Sequence, residues 1–447
     1  MSISRIYELG KRSLLAYQSA IHTTSGNVSN MNNEHYNRRR VEVTNLINIG
    51  SGLGITLQQS IRLRQQFAEK QLWMENQHLG KFESYNMFLG QVEDIFAEDT
   101  AAGLSNILNE FWNAWNDLAN DPESAYARTL VRDKGVLLTD TFQRLHTNLK
   151  VLQDQMVPEV QSKVVMVNQI IHKINEINQT MRHQPSADLL DQRDRLIHDL
   201  SKIININVKE KDNGEVSLYV EGLILVSDGK VQELSTRLIP QNGQLKLQVQ
   251  QENGARTLNI NSGELAGLID IHNAKIPDYL NRLDELARSI AESVNAVHRS
   301  GYNLAGITNI NFFSDTVSGA ADFRLNEAVY LDPSLIATRA DGEGAGSNSI
   351  ALAILNMQFQ DLVNGSTVAN FYHSMITGIG NLLQENTFQR HSQELIIRQL
   401  QNRRDAVTGV SLDEEMAKMM QYEQAYEAAA RVLKTVDQMV ETLLALR

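Results

Sequence analysis

Cysteine is absent from the 447 residues, which excludes disulfides, thiol catalysis and cysteine-based zinc sites together. Proline is scarce, with 6 in the whole chain, and beside abundant Leu, Ala, Gln and Asn that favours long helices over a sandwich or barrel. No apolar run approaches the roughly 18 residues needed to cross a bilayer. Leu223 to Val226 and Val164 to Val167 are short bursts, so no membrane insertion is expected. The amino terminus lacks the apolar core of a secretory signal, because Arg5, Glu8, Lys11 and Arg12 interrupt it. The chain is therefore expected to be cytoplasmic, or exported without a cleaved signal peptide. Basic charge is not in excess either. A formal net charge of -12 and a pI near 5.5 argue against a nucleic acid held through its phosphates.

Recognisable catalytic patterns are also missing. The 11 histidines are scattered with no HExxH spacing, and neither a GxSxG elbow nor a Walker A sequence occurs. Asp191 and Asp194 lie three apart on a predicted helix, but two carboxylates without further ligands make a poor octahedral metal site. Asp191 instead stands four residues before Arg195, the favourable order for a helical ion pair. Gly50, Gly52 and Gly54 lack the strand and helix of a nucleotide fingerprint and predict a turn. No enzyme activity, metal or cofactor is expected.

What is present is periodicity at the two ends. Leu412, Met419, Tyr426, Leu433 and Val440 recur every seventh residue, with Tyr422, Ala429, Val436 and Leu443 in between. That spacing holds one apolar stripe along a helix from Ser411 to Leu446, with Ser411 and Glu414 as an expected capping box. At the other end Ile3, Tyr7, Leu14, Tyr17, Ile21, Val28 and Met31 form a weaker stripe, interrupted by Gly10 and Thr24. Two stripes that cannot be buried alone can pair with each other; two ordinary surface helices on a globular core remain the alternative.

Between them the pattern predicts long helices with short breaks. One runs from Ile61 to Ala97 and one from Leu104 to Ala119, with Phe111, Trp112 and Trp115 on a core face. Another starts at Asp121-Pro122-Glu123 and another opens at Pro158, as expected of an antiparallel bundle. Around Ile203 the period changes from helix to strand, and Asn213-Gly214, Asn242-Gly243 and Asn253-Gly254 punctuate alternating runs. Helix resumes near Ser262, an irregular stretch spans Gly301 to Gly346, and Ile350 to Arg404 is helical again. His272 and His298 read as solvent-facing or satisfied neutral rings. Arg38, Arg39 and Arg40 read as a solvated loop cluster. The fold class is mainly α with a small inserted β module: a long-helix bundle plus paired N- and C-terminal coiled-coil-like helices. Residues 1–40 and 408–447 are expected to form the terminal helical domain, 41–205 and 263–407 the bundle, and 206–262 the β module.

Particular stretches are similar to one family. They are Ser25-Gly-Asn-Val-Ser-Asn-Met-Asn with Tyr36-Asn-Arg38, Gly103-Leu104 through Asn120-Asp121-Pro122, and DLLDQRDRL from Asp188. With them go Gly263-Glu-Leu-Ala-Gly-Leu268, Val294-Asn295 through His298 to Gly301, and Ser411-Leu-Asp-Glu-Glu415 with Tyr422-Glu-Gln-Ala-Tyr426. Together they resemble the bacterial flagellar hook-associated protein 1 family, across nearly the whole chain. His35 and Asn37 depart from the family's Gly-Tyr-Ser-Arg element. The β insertion that some members carry near Phe312-Phe313 has no room in this chain.

The resemblance implies a structural protein on the hook-proximal side of the hook-filament junction, required for filament assembly. It implies terminal helices lining an inner tube, a bundle around them and the β module outside, with copies stacked in a helical ring. Implied partners are the hook protein, the distal hook-filament junction protein, its own copies, and an export chaperone at the C-terminal helix. Implied location is extracellular, after type III export. The implied assembly seam is Ile3, Leu14, Tyr17, Ile21 and Val28 with Leu412, Met419, Tyr426, Leu433 and Val440. Another flagellar axial protein (distal junction or hook protein), or a secreted coiled-coil effector or hydrolase, are the alternatives.

Overall fold

The computed structural model describes residues 3–33, 36–41, 43–46, 54–57, 61–96, 103–211, 214–241 and 243–445. Gly50, Gly52, His35, Asn213 and Asn242, on which turns or motif departures were read, lie outside them. Helix α1 (Ile3–Ser29) is followed by four short strands: β1 (Arg39–Arg40), β2 (Val43–Leu46), β3 (Gly54–Leu57) and β4 (Ile61–Arg62). β1 pairs with β4 and β2 with β3, both antiparallel. This ribbon was not legible as strand, because it lacks a sustained alternation.

The helical body begins with α2 (Gln66–Phe96) and α3 (Leu104–Asn120). α3 buries Leu104, Ile107, Leu108, Phe111, Trp115 and Leu118 at spacings of three and four. Its aromatics are core, as read: the Trp115 and Phe312 rings meet at a tilt with centroids 5.3 Å apart, and those of Phe111 and Phe313 lie 6.1 Å apart. α4 runs unbroken from Ala125 to His183 for 59 residues, with Pro158 inside it. The expected break at Pro158 does not occur. An interior proline costs about 3 kcal/mol, but Met156, Val160, Val164 and Val167 carry the buried stripe straight past it, and Pro158 itself faces solvent. The helix start also differs: Ser124 is the N-cap and accepts from Ala127 N, while Asp121 closes α3. α5 (Ala187–Ile203) follows.

Among the described residues seven strands follow α5, in two sheets. β5 (Asn207–Glu210), β6 (Val216–Val220), β7 (Leu223–Ser227) and β8 (Lys230–Val231) form one antiparallel sheet in sequence order. β9 (Leu234–Gln241), β10 (Gln244–Gln251) and β11 (Thr257–Leu258) form a second, with β10 central. α6 (Glu264–Asp270) then continues through a π turn into α7 (Ile276–Ser300). The Gly263-Glu-Leu-Ala-Gly267 run has a physical reason. Gly263 adopts φ +84°, and a Cβ there would meet Ile203 O at 2.6 Å; one at Gly267 would strike Ser84 Oγ.

After the irregular stretch, which holds α8 (Glu327–Leu331), come α9 (Ser349–Asn356), α10 (Val368–Thr408) and α11 (Leu412–Ala445). The stretch read as helical over Ile350 to Arg404 is thus two helices, with a break at 357–367 that the pattern did not give. There Asn364 and Gly365 take positive φ, and Thr367 caps α10 through Asn370 N.

His298 pins the irregular stretch to the core. Fully buried, it donates from Nδ1 to Ile310 O at 2.7 Å and accepts at Nε2 from Ala337 N at 3.0 Å. Burial pushes its pKa down to about 4. A second proton on Nε2 would face the Ala337 N–H, so the fold requires the neutral ring. Its stabilisation is full above the unfolded value near 6.5 and is lost as pH falls toward 4, a change of about 3 kcal/mol. Urea unfolding at pH 7 and pH 4.5 should show that loss, and His298→Gln should flatten the difference while lowering stability at pH 7. His272 is likewise buried, with its pKa lowered mainly by burial.

Candidate assembly interface and its joint to the body

α1 and α11 pack side by side and antiparallel, for Gly10 faces Leu433, Tyr17 faces Tyr422 and Asn27 meets Glu415. The line of closest approach on α1 is not its large apolar residues. It is Gly10, Ser13, Ala16, Ala20, Thr24 and Asn27, all buried at spacings of three and four. Gly10 and Thr24, read as interruptions, are part of the contact: a Cβ on Gly10 would come within 2.8 Å of Leu433 Cδ2. Small residues on one helix let the partner's larger side chains seat between its turns.

Ile3, Leu14, Tyr17, Ile21 and Val28 flank that line, each half-buried. On α11 the fully buried positions are Glu415, Ala429 and Val436. Met419, Tyr426 and Leu433 are half-buried, whereas Leu412 and Val440 are 43% and 39% exposed. Met416, Met420, Val432, Met439, Leu443 and Leu444 are exposed as well. One chain therefore covers only part of its own apolar stripe. Among the described residues, the buried members of the body's hydrophobic core lie between Trp73 and Ile379, with none from either terminal helix.

The terminal pair meets the body at a compact polar joint, which the sequence reading treated as a solvated loop. Asn27, 1% exposed, is its hub. Its Nδ2 donates to Glu415 Oε2 and to Arg39 O, each at 2.8 Å, and its Oδ1 accepts from Arg39 N and Tyr36 Oη. Arg38 Nη2 reaches Glu415 Oε1 at 2.6 Å and Glu414 Oε2 at 2.8 Å. Glu414 is thus held by Arg38, whose hydrogen bond lowers the Glu414 pKa.

The neighbouring arginines face the other way, onto α5. Arg39 binds Asp188 and Asp191; Arg62, its partner across β1 and β4, binds Asp191 at 2.7 Å and Asp194 at 2.8 Å. Asn37 also donates to Asp191 at 2.8 Å. Two cross-strand arginines would repel each other, and the aspartates between them resolve it. Burial disfavours the Arg62 charge, but Asp194 and Asp191 outweigh it and raise its pKa. The helical pair read between Asp191 and Arg195 is not made. Asp191 is buried toward these arginines while Arg195 points to solvent. The signals that mark this joint are three successive arginines and three aspartates at spacing three, each unremarkable until folding brings them together.

Among the described residues no three His, Asp or Glu groups are arranged to hold a metal, and no helix is long and apolar enough to cross a membrane. A polar surface cleft of about 690 Å³ lies between α4 and the loop around Ser314 and Arg324.

Comparison with known proteins converges on one lineage. A family model described as the flagellar hook-associated protein FlgK helical domain matches residues 89–313, just over half of the chain. A second, described as the C-terminal region of flagellar basal body rod FlgEFG proteins, matches residues 406–446. The chain is 27% identical over 491 residues to flagellar hook-associated protein 1 of Bacillus subtilis, covering 98% of this chain and 97% of that one. It is 23% identical over 544 residues to the protein of that name from Salmonella typhimurium, covering 97% and 98%. That alignment is longer than this chain by at least 97 positions (544 − 447), so the Salmonella protein carries sequence with no counterpart here. In fold, the chain resembles the flagellar hook junction protein FlgK from Burkholderia pseudomallei. The TM-score is 0.67 at 13% identity, over 76% of this chain and 100% of that one.

Proposed function

Since the chain belongs to the flagellar hook-associated protein FlgK family, we propose that it works by burial between chains, as a structural piece of the hook-filament junction. It occupies the hook-proximal side, and filament growth depends on it. The observation that carries this reading is the half-covered terminal pair: Leu412, Val440 and Leu443 lie open towards the two ends of the α11 stripe, and Met420 and Met439 are exposed beside it. An exposed apolar row of that length calls for a partner.

Copies of this chain in a helical ring supply most of that cover, with hook protein on one side and the distal junction protein on the other. Such a ring uses a heterologous interface, one patch against a different patch. The terminal pairs line the inner tube, the bundle surrounds them and the β module points outward. The seam is Ile3, Leu14, Tyr17, Ile21 and Val28 with Leu412, Met419, Tyr426, Leu433 and Val440. Before assembly an export chaperone shields the α11 stripe, and the chain leaves the cell without losing a signal peptide.

The test is removal of the gene. Cells are expected to keep hooks and to shed filament protein into the medium as monomers, measured by blotting the culture supernatant and imaging the cells. Normal filaments on cells lacking the protein would end this reading.

A further inference from the structure

The α11 stripe repeats every seventh residue, and that regularity has a defect. Sliding α11 by seven residues along α1, about 10.5 Å, returns an apolar side chain to each stripe position from Tyr426 to Val436. The small residues Ser13, Ala16, Ala20 and Thr24 of α1 discriminate poorly between such placements. Only one end of the pair does so by chemistry. There the buried Glu415 receives Asn27 Nδ2 at 2.8 Å and Arg38 Nη2 at 2.6 Å. A slip one way sets Tyr422 against Asn27. The other way carries Asn27 past the start of α11 at Leu412. Either slip leaves the buried Asn27 amide and the half-buried Arg38 without their carboxylate, and Glu415 without them; a buried polar group without its partner is what disfavours a wrong register.

We propose that the Asn27–Glu415–Arg38 lock sets the register of the terminal helix pair, with Asn27 and Glu415 as positioning residues. Register then decides which residues of the α11 stripe are presented to neighbouring chains. That consequence rests on the junction reading above; the register itself does not.

The absence of native cysteine makes disulfide trapping specific. A Cβ at Gly10 would lie 3.0 Å from Leu433 Cγ, close enough for a disulfide once both are cysteine. The pair Gly10→Cys with Leu433→Cys reports the native register. Gly10→Cys with Tyr426→Cys or with Val440→Cys reports a slip of seven in either direction. The full chain is oxidised both in isolation and in flagella from cells that also make the unmodified protein.

With the lock intact, the 10–433 bridge is expected to dominate. Asn27→Ala with Glu415→Ala should lower its yield about fivefold and raise the 10–426 or 10–440 product correspondingly. Glu415→Gln, which still accepts from Asn27, should keep the native bridge. Retention of the 10–433 bridge in the double alanine variant would overturn the proposal. So would loss of all three bridges in that variant, or absence of the 10–433 bridge with the lock intact. A failure of the junction reading shows in the shedding experiment and leaves this bridge pattern unchanged.

Discussion

Leu433→Asp is expected to abolish incorporation into the junction while leaving the body of the molecule folded. Leu433 sits over Gly10, where a Cβ would come within 2.8 Å of its Cδ2. A carboxylate there would replace the apolar contact with Gly10 and lose hydration on the side that faces α1. The helix pair would separate, and the uncovered part of the α11 stripe would lose the helix that positions it. The body should not notice, because its core draws no residue from α1 or α11. The main thermal transition of the purified variant should therefore match the parent, while cells carrying it shed filament protein. Normal filament growth with Leu433→Asp would show that the α11 seam is not what joins the chains.

Gly80→Ala should be the most damaging single methyl in the body, and Gly90→Ala, ten residues along the same helix, should do the opposite. At Gly80 an added Cβ would stand 2.1 Å from Lys202 O and 3.2 Å from Glu264 N. Both are backbone atoms, so neither can swing aside. α2 would have to lift off the end of α5 and the start of α6, at a cost of about 3 kcal/mol or more. At Gly90 nothing lies within 4 Å of the added carbon, and replacing a helical glycine there should gain about 0.5–1 kcal/mol. Urea denaturation of the two variants beside the parent measures both. Equal effects would mean that the close crossing of α2 over α5 is not rigid.

The helices and the β module were legible because their periods are long and regular, and α3 with its aromatic face is the clearest case. The break read at Pro158 and the interruption not read at 357–367 share one reason: local signals were weighed without the packing that overrides or reinforces them. Pro158 is a helix breaker in isolation, but Met156 and Val160 on either side of it are fully buried and hold α4 straight through. Asn364-Gly365 is a modest turn signal inside an apolar run, and the chain breaks there because both residues take positive φ. At the candidate interface the stripes were readable and their fit was not. Gly10 looked like a flaw in α1 and is the socket for Leu433.

The sequence by itself determined that this is a cysteine-free, proline-poor, helical chain with an apolar seven-residue rhythm in its last helix, a weaker stripe at its start and no recognisable catalytic pattern. Those properties are local or periodic, so one dimension is enough to carry them. Only the tertiary structure decided where Arg38, Arg39 and Arg62 find their carboxylates. Glu415 lies 377 positions from Arg38, and Asp191 lies 129 from Arg62. Spacing along the chain says nothing about contacts so remote, and buried charges are stable only where folding has already supplied the partner.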